Sequence, residues 1–194
     1  GGRVPTIAFV VQEALPTGKY DRLGNRPSDG LGGGAYTTHL SLYSQTFFWM
    51  PNGRLLRTRL DVSGSFSNSV HVEGASVYGT AAGFRGRAWP GSSVFTDLAG
   101  EYSVTQRWVL ALDLTFRHGA NTRVAGYDAF DPSSIPDPPS IVYNSGSSDA
   151  FGFAPGIEYN WSPRFGVLLA ARFILKGHNT ATSVTPAIAG NMFY

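Results

Sequence analysis

The chain has 194 residues, long enough for one domain with a sizeable core. Charged residues make up 14% of it, against about 25% in an average soluble domain, and aromatics reach 13% with 24 glycines; such a balance suits a β-rich chain whose surface meets something other than water. A formal net charge of +2 without any Lys/Arg block excludes a nucleic-acid surface, and the lack of cysteine excludes disulfides, Cys-ligated zinc and thiol catalysis.

The N-terminal GGRVPTIAFVV runs almost directly into a strand pattern with no visible signal peptide, so an upstream segment is expected to have been removed. The longest apolar runs, IAFVV and VLLAA, fall far short of a membrane helix. Alternation at period two predicts eight strands, near residues 4–15, 36–50, 54–66, 92–104, 107–118, 150–161, 165–176 and 182–194. In RWVLALDLTFR, Trp108, Leu110, Leu112, Leu114 and Phe116 share one face, and Val109, Ala111, Asp113, Thr115 and Arg117 share the other. RFGVLLAARFILK and DAFGFAPGIEYNW repeat the pattern, and in the last strand Pro186, Ile188, Gly190, Met192 and Tyr194 continue the apolar register.

Connections of two kinds alternate along the chain. PNG (residues 51–53), TQ (105–106) and SPR (162–164) are tight hairpin turns, whereas residues 16–34, 67–91 and 119–149 are long and rich in Gly, Pro, Ser and Asp. All tight turns therefore fall at one end of an up-and-down sheet, together with both termini. Aromatic residues collect at that same end: Trp49, Tyr102, Trp108, Tyr159, Trp161 and the terminal Tyr194. Short turns, long loops and an aromatic girdle predict an all-β fold, an antiparallel up-and-down transmembrane β-barrel in the bacterial outer membrane. Trp108 to Phe116 covers eight residue steps, roughly 26 Å of strand or about 20 Å of height at a tilt near 40°, close to the apolar thickness of that membrane. A soluble sandwich or lipocalin-like barrel would alternate too, but with an outer face rich in Lys and Glu.

The stretch VVQEALPTGKYD (residues 10–21) resembles a strand-and-loop signature of outer-membrane proteins in the family named for the meta-pathway of phenol degradation. LAGEYSVTQRWVLALDLTF, GFAPGIEYNWSPRFGVLLAARF and a last strand closing on an aromatic agree with it. The resemblance implies about twelve strands in all, some before residue 1. It also implies an outer-membrane channel or transporter for small hydrophobic or aromatic compounds, working without a cofactor. LPTG (residues 15–18) lacks the extra residue of a sortase signal and sits far from the C-terminus, so it marks a strand end.

Charges on the less apolar face are candidates for the barrel interior: Glu13, His39, Arg57, Arg59, Asp61, Asp97, Glu101, Asp113, Arg117, Glu158, Arg172 and Lys176. Opposite signs on neighbouring strands predict cross-strand ion pairs, which either fill and rigidify the interior or also line a solute path. Eight strands would leave a filled interior and twelve a narrow lumen. Expected partners are outer-membrane lipid, a small hydrophobic solute, and the barrel-assembly machinery through the C-terminal strand ending at Tyr194, with no nucleic acid.

Two other classes stand beside the channel. One is a structural or adhesive barrel acting through residues 67–91 and 119–149; the other is a lipid-modifying barrel enzyme with rim His and Ser residues. The four histidines are scattered, His71 and Glu73 alone make no metal site, and no nucleophile, phosphate or dinucleotide fingerprint is present, so no catalytic role is assigned.

Overall fold

The structure, a computed structural model, describes residues 4–24, 26–129 and 140–192. Its strands are β1 (Thr6–Ala14), β2 (Thr37–Trp49), β3 (Leu55–Ser67), β4 (Val70–Glu73), β5 (Phe84–Trp89), β6 (Ser93–Ser103), β7 (Trp108–Gly119), β8 (Arg123–Asp128), β9 (Ile141–Asn144), β10 (Ser148–Ser162), β11 (Phe165–His178) and β12 (Ser183–Met192). A 3-10 turn at Pro27–Asp29 interrupts the first long loop, and no α-helix occurs among the described residues. The fold is all-β. Each of the eight predicted strands is present, with ends displaced by no more than two residues.

These eight form one antiparallel sheet in the order β1-β2-β3-β6-β7-β10-β11-β12. Among the described residues no pairing joins β1 to β12, so the sheet has two edges. The tight turns form as their residues demand. At the β2–β3 hairpin Gly53 takes a φ of 73°, open to a residue without Cβ, and its amide donates to the Met50 carbonyl at 2.9 Å. After β6 the Thr105 hydroxyl accepts the Arg107 and Trp108 amides at 3.1 and 2.9 Å.

The two faces differ sharply. On one, β7 presents Leu110, Leu112 and Leu114 at 44–48% exposure, next to Ile157 on β10 and Leu98 on β6. Ile7 and Phe9 on β1, Leu40 and Leu42 on β2, Leu60 and Val62 on β3, and Leu169 and Ile188 on β11 and β12 extend this face. Its ionisable side chains Glu13, His118, Asp149, Lys176 and His178 all lie in the last pairs at the long-loop end. The opposite face carries the remaining charges of the strands. A sheet whose large apolar side chains are the exposed ones inverts the soluble pattern.

Residues 67–91 and 119–149 were expected to be long loops; instead they contain a second antiparallel sheet, β4-β5-β8-β9. Its strands are short outgrowths of β3, β6, β7 and β10, and its order repeats theirs. Here the apolar residues are inside. Val70, Val72, Phe84, Ala88 and Val124 form the core, with Tyr20, Ala35, Tyr78 and Ile141 packed against it. Gly86 and Gly126 leave room for the Phe84 ring: a Cβ on either would approach it to 2.8 or 2.7 Å. Phe84 is 2% exposed, a burial worth about 1.5–3 kcal/mol.

The first long loop is bound to this small sheet. The Tyr20 hydroxyl donates to the His71 carbonyl at 2.8 Å, and Arg22 Nε donates to Glu73 Oε2 at 3.0 Å. That hydrogen bond and the adjacent guanidinium charge hold the Glu73 carboxyl below its ordinary pKa. Burial pushes the Tyr20 and Tyr78 phenols up.

Candidate functional site: the polar face of the eight-stranded sheet

Strand register decides which of the twelve predicted inward residues share a face, because directly paired residues point the same way. His39 lies with Gln45 on β2, and Gln45 pairs with Arg59. Arg57, Arg59 and Asp61 pair with Glu101, Ala99 and Asp97. Asp113 and Arg117 follow on β7, opposite Ala99 and Phe95, while Ala154, in phase with Glu158, pairs with Asp113. Arg172 is in phase with Ala170, which pairs with Gly156. These ten residues occupy one face of the sheet.

Two do not. Glu13 pairs with Thr38, whose hydroxyl donates to Glu13 Oε2 at 2.7 Å, on the apolar face; Gln12, one residue back, pairs with His39. Neighbours in a strand point oppositely, so Gln12 shares the face of His39 and Glu13 takes the other. Lys176 is displaced by a register shift: Gly152 pairs with Ile174 but Phe151 with Lys176, leaving Leu175 as the extra residue of a β-bulge. The bulge reverses the phase and sets Lys176 opposite Phe151, which pairs with Phe116.

The girdle needs one correction as well. Trp108 and Tyr159 touch at 4.6 Å between ring centroids, Tyr159 and Trp161 at 5.1 Å, and Trp161 and Phe165 at 5.2 Å. Tyr102, in register with Leu110, stands beside them, and its hydroxyl accepts Asn52 Nδ2 at 2.8 Å. Trp49 instead pairs with Leu55, in phase with Arg57, so it ends β2 on the polar face. Tyr194 lies outside the described residues.

Side-chain contacts across the polar face are ionic and specific. Glu101 is shared by two arginines, Oε2 with Arg57 Nη1 at 3.1 Å and Oε1 with Arg59 Nη2 at 2.9 Å. Arg57 also donates to Gln45 Oε1 from Nε and Nη2, at 3.0 and 2.6 Å. Glu101 thus holds two cations in fixed positions, each part-exposed, so each pair contributes little stability on its own. One step along, Asp61 and Asp97 are directly paired, and each keeps a buried Oδ1 without a hydrogen-bond partner. Asn191 Nδ2 donates to Glu158 Oε1 at 2.8 Å across Gly166. A Cβ on Gly166 would lie 2.6 Å from Asn191 Oδ1.

Two grooves run over this face. One, of about 350 Å³, is lined by Thr6, Tyr43, Gln45, Arg59, Asp61 and Asp97; the other, of about 330 Å³, by Thr115, Arg117, Gly152, Arg172 and Thr185. Arg57 lies over the Phe47 ring at 5.9 Å and Arg117 over Phe95 at 5.5 Å, so each cation is joined to an aromatic surface. Sequence reasoning did not single out Gln45, Phe47, Phe95 or Asn191. Their positions follow once the register is known, and Phe95 and Phe47 are hidden in sequence because each sits beside apolar residues of the other face. No group of three or more His, Cys, Asp or Glu residues able to hold a metal ion occurs among the described residues. Scans against protein-family models and curated proteins find no match to the chain.

Proposed function

We propose that the eight-stranded sheet is the wall of an outer-membrane β-barrel, its apolar face against lipid and its polar face lining the interior. The observation that carries this reading is the exposed apolar face, free of charge between its two rims and bordered by touching aromatic rings at the tight-turn end. In water that face would be a large uncovered apolar patch; against hydrocarbon it is matched, and the rings sit where an amphipathic ring is favoured. Glu13, His118, Asp149 and Lys176 then lie at the opposite rim, at headgroup level.

Hydrocarbon does not tolerate free strand edges. On this reading β1 and β12 are therefore paired in the membrane, with each other or through further strands. An eight-stranded barrel would be filled by its own side chains, whereas additional strands would leave a lumen. We propose the second, with passage of small hydrophobic or aromatic compounds over the polar face, where Phe47 and Phe95 lie beside Arg57 and Arg117. The resemblance of residues 10–21 to the meta-pathway family points to that cargo. The full-length protein, with every strand of its sheet, reconstituted in planar bilayers should give discrete conductance steps; folded, inserted protein that conducts nothing and admits no solute into liposomes would remove the channel and leave a structural barrel.

A further inference from the structure

The small sheet β4-β5-β8-β9 has a second face that no other element covers among the described residues and that transport does not use. Arg85 and Arg87 on β5 alternate with the buried Phe84 and Ala88 and the half-buried Gly86, so both point away from the core. Register sets Arg85 beside Tyr127, Arg87 beside Ala125, and Trp89 beside Arg123. The result is a surface on which a cation faces a ring across the strands at both ends, Arg85 with Tyr127 and Arg123 with Trp89, and Arg87 stands beside Ala125 between them. Trp89 and Tyr127 are 41% and 39% exposed. The Arg123 guanidinium lies 5.5 Å from the centroid of the Trp89 ring, which fixes the indole. No salt bridge to Arg85, Arg87 or Arg123 forms among the described residues. One acid on this face, Glu73, pairs in register with Arg85 at the β4 edge and is hydrogen-bonded by Arg22, so Arg87 and Arg123 are the arginines further from it.

We infer that this face binds an acidic polysaccharide, a uronate polymer. Each of its units presents one ring face for Trp89 or Tyr127 and one carboxylate for a neighbouring guanidinium. Arginine suits the task because its planar fork takes a carboxylate through two parallel hydrogen bonds. Ala125, small and central, keeps the surface between the two rings low enough for a chain to lie across it. Nucleic acid fits less well: duplex DNA carries one charge per roughly 1.7 Å, far denser than three arginines with an acidic margin can match. The inference rests on the small sheet alone and does not depend on where the eight-stranded sheet resides.

The test uses the full chain in detergent micelles, titrated by calorimetry with polygalacturonate oligomers, neutral dextran oligomers, and single-stranded and duplex DNA. Saturable binding of polygalacturonate is expected, weakened by added salt, with none to dextran. Arg85→Gln with Arg87→Gln should weaken it at least tenfold, and Trp89→Ala should do the same while both arginines remain. Circular dichroism and heat-modifiable gel migration unchanged from the parent would show that the variants are folded; should Trp89→Ala fail there, Tyr127→Phe and Tyr127→Ala replace it, Phe binding like the parent and Ala more weakly. Equal binding of dextran, tighter binding of either DNA, or folded variants that bind as the parent does would overturn the proposal.

Discussion

Single side chains on β7 separate the two faces most cleanly. Leu112 lies mid-strand on the apolar face, and Ala111, its neighbour, faces Glu101 across the β6–β7 pair. Leu112→Arg should therefore impair insertion by about 2–4 kcal/mol if it sits at mid-bilayer, while Ala111→Arg should cost less, because its guanidinium can reach Glu101. Folding titrations into lipid vesicles compare the two, and equal penalties would mean that the faces are misassigned. Outside the sheet, Glu73 gives a pH dependence. Its carboxyl pKa is lowered in the folded chain, first by the Arg22 hydrogen bond and then by charge. Its contribution is thus complete above the unfolded carboxyl pKa and is lost as pH falls through the lower folded value. Amide exchange at Arg22 and Leu23 should accelerate in that acid window, and Glu73→Gln should abolish the acceleration.

Elements follow from sequence to the extent that their pattern is long. The eight long strands were legible because nine or more alternating residues average out exceptions, and the tight turns carry their own chemistry. The second sheet was not. VHVE and FRGRAW have only four and six residues, and Gly86 removes a side chain from the very face that would mark FRGRAW as amphipathic. Phase errors at Glu13, Lys176 and Trp49 have equally local causes. Gln12 and Glu13 are adjacent polar residues, a bulge at Leu175 has no sequence mark, and FFW at residues 47–49 offers aromatics to both faces. The small sheet has its own core, so Phe84→Ala should cost it about 3–5 kcal/mol and leave the eight-stranded sheet folded. Hydrogen exchange should show amides of β4, β5 and β8 losing protection while those of β7 and β10 keep theirs; joint loss would make the two sheets one cooperative unit.

At the scale of the whole molecule, the proposed barrel turns on the edges β1 and β12, which decide between a filled interior and a lumen. The chain has no cysteine, so cysteines placed singly along β1 and β12 can report their distance in the folded, inserted protein. Solute passage requires that these pairs fail to cross-link within one chain; efficient intramolecular cross-linking would mean eight strands and a filled interior. The claim beneath both outcomes is that the apolar face meets lipid, and a cysteine scan of residues 110–116 with nitroxide labels in bilayers tests it most directly. Collision with oxygen should dominate at Leu110, Leu112, Leu114 and Phe116, and collision with a water-soluble nickel chelate at Ala111, Asp113 and Thr115. Uniform water exposure along the strand, or the opposite alternation, would contradict the account.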